Sequence, residues 1–342
     1  MSSIQFSRRP RWLSVIVASA IAVSSSSCAP TTPVSSSEAS QPEASQPDAS
    51  PTETAELQVV TTFLPITQFT KAVAGDRAEV TQLLPPNVGP HDYQAKPDDV
   101  QRLAQADVLV QNGLELEEFL EDLVANADNP DLTIVNSSEG IATISTEEIA
   151  GHNEAEEHEH AGDGHQHGEL NPHVWLDPKR AIEQVENIRD GLIAADPQGQ
   201  PEYTANAAAY IEQLQALDAD ITSTLQPYAG KTFVAFHDFA PYFAQSYRLK
   251  AEFLVDAPEE NPSPEDVKRI SDEVKASNLK TILTEPQAGE EALAALAQDL
   301  NVTISEFDSM ETGGSEATEP EYYITIMRQN VESLVNAFGG SL

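Results

Sequence analysis

One cysteine in 342 residues, Cys28, leaves this chain without an internal disulfide and without the thiolate pair that a cysteine-type zinc site requires. Any metal it holds must be bound by imidazole and carboxylate. Basic residues are scarce as well. The 18 Lys and Arg stand against 56 Asp and Glu, a net charge of −38, which repels nucleic acid and anionic membrane surfaces and favours cations. Nucleic-acid binding is excluded on that ground, whereas a solvated acidic surface explains the charge without any bound metal. The apolar run "WLSVIVASAIAV", Trp12 to Val23, is too short to span a bilayer. Preceded by "RRPR" and followed by "SSSSC", it reads as a signal peptide over residues 1–28. Cys28 then stands where an exported lipoprotein carries its lipidated N-terminus, although Ser25 occupies a position where leucine is usual. The expected location is periplasmic, anchored at the membrane through that cysteine.

Residues 29–56, with their repeated SQP and almost nothing apolar, form an expected disordered tether with a reach of about 30 Å. Beyond it, short β-rich runs alternate with amphipathic stretches. The runs are Leu57–Phe63, Val80–Leu84, Asp107–Gly113 and Leu132–Ser138, then Lys231–Phe236, Glu252–Asp256, Thr281–Glu285 and Val302–Phe307. This alternation in both halves predicts α/β architecture with parallel sheets. Between the halves, Pro201 to Leu225 is proline-started and apolar at Tyr203, Tyr210, Leu214, Leu217, Ile221 and Leu225, which is helical spacing. The expected organisation is a lobe over 57–200, a long linker helix over 201–226 and a second lobe over 227–342. A helix packed at the periphery of one lobe would give the same pattern. In open α/β sheets a ligand sits beyond the carboxyl ends of the strands, here the cleft between lobes.

Six of the eight histidines lie within "GHNEAEEHEHAGDGHQHGELNPHVWLDP", Gly151 to Pro178. They divide by context. His152, His158, His160, His165 and His167 alternate with acids and glycines, so residues 151–169 read as a flexible loop with weak accessory metal sites. His173 instead precedes the apolar Val174, Trp175 and Leu176 and belongs to a segment that can pack. His237 directly follows a strand run, and His91 sits in the proline-fixed loop "LLPPNVGPHDYQAKPDD". Three imidazoles need one more ligand to close a tetrahedral zinc site. Asp308, one residue past the last strand run, is the first candidate, with Glu285 as competitor. Phe63, Trp175, Phe239 and Tyr242 are expected to exclude water around the ion, although core packing would place them equally well.

The motifs "PHDYQAKPDDV", "NPHVWLDP", "AFHDFAPYF" and "LTEPQ…EFD", in this order and with a histidine-rich acidic insert before the second, resemble the ZnuA-like periplasmic zinc-binding proteins of ABC importers. The resemblance runs from about Glu56 to the C-terminus. It implies two Rossmann-like lobes with parallel four-stranded sheets, joined by one long rigid α-helix, and a metal site in the interlobe cleft. It also implies Zn2+ held by His91, His173 and His237 with Asp308 at the carboxylate position, and delivery of the ion to a membrane permease with its cytoplasmic ATPase. A monomer is expected. Manganese-binding relatives commonly carry a carboxylate where His237 stands, so zinc is favoured. A stiff linker helix favours small local movements over wide hinge opening. A zinc hydrolase is the rival from another class, weakened by the lack of an H-E-x-x-H helix. A metal-storage or adhesion lipoprotein is a second rival.

Overall fold

The computed structural model describes residues 56–91, 93–146, 169–258, 260–286 and 289–341. The expected signal peptide, Cys28, nearly all of the tether and the five histidines of the acidic insert lie outside the described residues. The residues from Thr54 to Leu342 belong to one compact unit.

The first half is a run of βα units. Strands β1 (Leu57–Thr61), β2 (Ala78–Gln82), β3 (Val108–Gln111) and β4 (Thr133–Asn136) form one parallel sheet in the order β2-β1-β3-β4. Helices α1 (Leu64–Ala74), α2 (Pro97–Gln105) and α3 (Phe119–Ala127) make the crossovers. Val108, Leu109 and Val110 are fully buried in β3, as expected of an inner parallel strand covered on both faces. Proline at the first turn starts α1 and α2, where its missing N–H removes no helical bond.

Two long helices follow, α4 (Pro178–Ala195) and α5 (Gln200–Leu225). The predicted helix over Pro201–Leu225 is therefore found within one residue, and all six of its predicted apolar positions are buried. Helix α5 packs against α4 and α1, and also against the C-terminal helix α9 (Pro320–Ala337). Asp177 caps α4 by accepting from Lys179 N at 3.2 Å, which fixes the chain just after the Trp175 segment.

The second half repeats the alternation with β5 (Thr232–Ala235), α6 (Pro241–Ser246), β6 (Lys250–Phe253), α7 (Pro264–Ala276), β7 (Thr281–Thr284), α8 (Gly289–Leu300) and β8 (Thr303–Glu306). All eight strand runs read from the sequence contain strands, β2 and β6 each beginning two residues earlier than the predicted run. The strands here form two parallel pairs, β5 with β6 and β7 with β8, and β5 lies alongside β7. One face of these strands packs on α7 and α8, with Val234, Leu254, Ile270, Ile282 and Leu293 buried in one cluster.

The turn leaving β3 lies against the segment before His173, Asn112 Nδ2 donating to Pro172 O at 3.1 Å. Gly113, Leu114 and Glu115 all have left-handed backbone, φ of 84°, 57° and 61°, which costs energy at the two non-glycine positions. The buried carboxylate of Glu117 holds the turn. It accepts from Asn112 N at 2.7 Å, Gly113 N at 2.9 Å and the Thr62 hydroxyl at 2.8 Å. Burial pushes its pKa up to about 7 against the pull of those donors. Glu117→Ala leaves all three donors buried without an acceptor. The expected cost is about 3 kcal/mol in urea denaturation. The exposed neighbour Glu118→Ala should stay within about 0.5 kcal/mol of wild type. Equal midpoints for the two variants would contradict the role given to Glu117.

Candidate metal centre

Four side chains converge where the strand ends meet: His91, His173, His237 and Glu311, each offering a ligand atom within 4.8 Å of the others. His237 follows β5 directly, as the strand pattern predicted. His173 opens the short 3-10 turn Val174–Leu176, whose three apolar residues are fully buried and pin the backbone. His91 lies in the loop after β2. That loop is tied to the last loop of the protein through Gly313 N, which donates to Pro86 O at 2.7 Å.

The three imidazoles point their Nε2 atoms at one oxygen. Glu311 Oε1 lies 2.9 Å from His91 Nε2, 3.1 Å from His173 Nε2 and 3.6 Å from His237 Nε2. The His173 and His237 Nε2 atoms are 3.3 Å apart. The other ring nitrogens are held from behind. His237 Nδ1 meets Glu285 Oε1 at 2.7 Å, and His173 Nδ1 meets Asn171 Oδ1 at 3.1 Å. With these acceptors behind them, both rings keep a hydrogen on Nδ1 and present Nε2 to the cluster, free to ligate once Nε2 is deprotonated, the arrangement a metal-binding imidazole needs.

Asp308 does not join this cluster. Its Oδ1 accepts from Met310 N at 2.7 Å, inside its own turn, and its backbone is clamped by Asn330, whose Oδ1 accepts from Asp308 N and whose Nδ2 donates to Asp308 O, both at 2.8 Å. Met310 takes left-handed backbone, φ 61°, and this reverses the chain so that Glu311 enters the centre. The physical reason for the difference is this turn: the first acid past the strand stabilises it and the fourth residue past Phe307 is aimed by it. Glu285 also differs from its expected alternative role as the fourth ligand, since it backs the His237 ring. The "DSMETGG" stretch marks a turn in the sequence, but it does not say which of its two acids faces inward.

Of the four expected apolar neighbours, Trp175 and Phe239 lie against imidazoles, with ring centroids 5.1 Å from His173 and 5.2 Å from His237. Phe63 packs edge-on against Trp175 at 5.0 Å, one layer further out. Tyr242 serves the backbone: its hydroxyl donates to Asn171 O at 2.6 Å and accepts from Ile144 N at 3.1 Å. Asn171 Nδ2 donates to Asp238 O and Oδ2, so the two histidine-bearing loops are joined directly.

The charges follow from this packing. Burial favours a neutral His237, but Glu285 and Glu311 outweigh it and hold the imidazole pKa well above 6.5. Burial dominates at His173 and keeps it well below 6.5. Burial likewise opposes ionisation of Glu311, yet His91 and His237 hold its carboxyl well below 4.5. For the metal-free protein the sign is definite. The raised pKa of His237 contributes stability that is complete below pH 6.5 and is lost as pH rises through the folded-state value. The lowered pKa of His173 acts in the opposite sense, its contribution lost as pH falls below 6.5. Glu285→Gln should flatten the alkaline loss of stability in chemical denaturation, and NMR should show His237 titrating at lower pH than in wild type. An unchanged His237 titration would contradict the pairing.

The family described as "Zinc-uptake complex component A periplasmic" matches residues 59–337. The zinc-binding lipoprotein AdcA of Streptococcus pneumoniae is 33% identical over 281 residues, covering 82% of this chain and 55% of that protein. The chain thus spans about half the length of that relative. The manganese-binding lipoprotein MntA of Halalkalibacterium halodurans is 31% identical over 283 residues, covering 82% and 88%. The crystal structure of Zn(II)-bound AdcA from Streptococcus pneumoniae superposes with a TM-score of 0.68 at 30% identity, covering 84% of this chain and 58% of the other. The fold and the match over residues 59–337 together make this chain a member of the ZnuA family, whose proteins are solute-binding receptors and not enzymes.

Proposed function

We propose that this chain is an extracytoplasmic receptor that captures Zn(II) at His91, His173, His237 and Glu311 and delivers it to an ABC-type permease. The observation that carries the reading is the convergence of three imidazole nitrogens and one carboxylate within 4.8 Å in a buried setting. Such a set suits tetrahedral zinc better than manganese, which prefers oxygen ligands and higher coordination. The names of the AdcA relatives support zinc, and the MntA relative is the specific observation that favours manganese as the second reading.

In this reading residues 57–200 and 227–342 act as two lobes along the helix 201–226, and each contributes ligands. Residues 57–200 supply His91 and His173; the second lobe supplies His237 and Glu311. Displacing one ligand-bearing loop removes one or two ligands at once, which is how a firmly bound ion is released to a permease. The chain works as a monomer anchored through Cys28, and the histidines of residues 151–169 bind zinc weakly. Because imidazole ligates only when neutral, zinc affinity falls as pH falls.

Competitive calorimetric titration with zinc and manganese tests this, on the chain with and without residues 151–168. One tight zinc site should persist in both forms, and manganese should not displace it. His173→Ala should weaken that site at least about a hundredfold, on the scale of losing a whole ligand. Loss of tight binding with the loop, or its persistence in His173→Ala, would sink the assignment; displacement by manganese would turn it to the second reading.

A further inference from the structure

The two oxygens of Glu311 face different partners. Oε1 points at the three imidazoles, whereas Oε2 accepts from the Ser309 hydroxyl at 3.3 Å. That distance is long for a hydroxyl and a carboxylate, so the contact orients more than it binds. Its strength as a guide comes from how firmly Ser309 is held. Ser309 is fully buried, and its carbonyl accepts from Trp175 Nε1 at 2.9 Å. Trp175 is itself fixed, with its carbonyl accepting from the Tyr323 hydroxyl at 2.6 Å. On either side of Ser309, Asp308 is clamped by Asn330 and by the Met310 amide. The backbone that carries the hydroxyl is therefore fixed, and a rotation of the carboxylate to present both oxygens carries Oε2 away from it.

We propose that Ser309 is a specificity-determining residue: by holding Oε2 of Glu311 it restricts this carboxylate to one oxygen toward the ion, which favours four-coordinate Zn(II) over metals that take more oxygen ligands. The inference rests on the zinc-receptor reading and adds to it a cause of selectivity that lies outside the ligand set. Three imidazoles with one carboxylate oxygen make a four-coordinate N3O centre. The same residues with both oxygens make a five-coordinate centre with room for water, which is the environment Mn(II) accepts more readily. Discrimination between the two ions then depends on a hydroxyl that need not touch either of them.

The test compares the full chain with Ser309→Ala and Ser309→Thr, titrating each with Zn(II) and Mn(II) and recording the visible spectrum of the Co(II) form. Removing the hydroxyl should lower zinc affinity by about tenfold, as loss of an outer partner does, while manganese affinity rises. Co(II) in Ser309→Ala should lose the strong visible absorption of a four-coordinate site, and Ser309→Thr, which keeps the hydroxyl, should restore it. A parallel fall for both metals with an unchanged Co(II) spectrum would reduce Ser309 to a packing residue and overturn the proposal. Equal affinities in Ser309→Ala and wild type would overturn it too. Failure of wild type to bind zinc tightly would instead remove the receptor reading, and this inference with it, before the variants are compared.

Discussion

A carboxylate buried among three imidazoles is the constraint on which the rest of this structure depends. Glu311 is almost wholly removed from water, and a charge in that position is tolerated only when paired and hydrogen-bonded. His91 and His237 provide the opposing charge that holds Glu311 ionised. Each group recruited for that purpose then needs partners of its own. Glu285 satisfies the far side of His237, Asn171 that of His173, and Ser309 the second oxygen of Glu311. The centre is thus a small charge cluster inside a larger shell of donors and acceptors, and the shell directs the ligand atoms of His173, His237 and Glu311.

That shell also joins parts of the chain far apart in sequence. Asn171 reaches Asp238, Tyr242 reaches Asn171 and Ile144, Trp175 reaches Ser309, and Gly313 reaches Pro86. Away from the centre, Gln68 Nε2 donates to Ala317 O at 2.6 Å, and α1 and α9 both pack on α5. Many short polar links across one compact unit favour local displacement of a loop over wide opening, because wide opening breaks all the links together. The strain at Leu114, Glu115 and Met310 lies in the turns that feed this shell, where residues are held in place by their surroundings and not by their own preferences.

Much of this was legible in the chain before folding. The eight β-rich runs and the helix over Pro201–Leu225 follow from period and composition, and these signals survive because each element buries the face its pattern marks. His91, His173 and His237 were separable from the other five by their neighbours: prolines, packed apolar residues and a strand end each fix a backbone, whereas alternating acids and glycines do not. The carboxylate was not legible in the same way. Asp308 is nearer the strand end and chemically equivalent to Glu311, and nothing in residue order says which acid the chain will turn inward. The decision was made by a left-handed residue, Met310, whose conformation is stabilised by Asp308 itself.

Sequence alone therefore determined the class of fold, the imidazole character of the site and its place beyond the strand ends, because these depend on local pattern and on which residue types exist to bind a cation. Tertiary structure decided which carboxylate joins the three imidazoles, which nitrogen of His173 and His237 faces inward and which partner each oxygen of Glu311 meets. Those are matters of direction. Direction is set by hydrogen bonds between residues such as Asn171 and Asp238 or Trp175 and Ser309, which share no local pattern and meet only when the chain has folded.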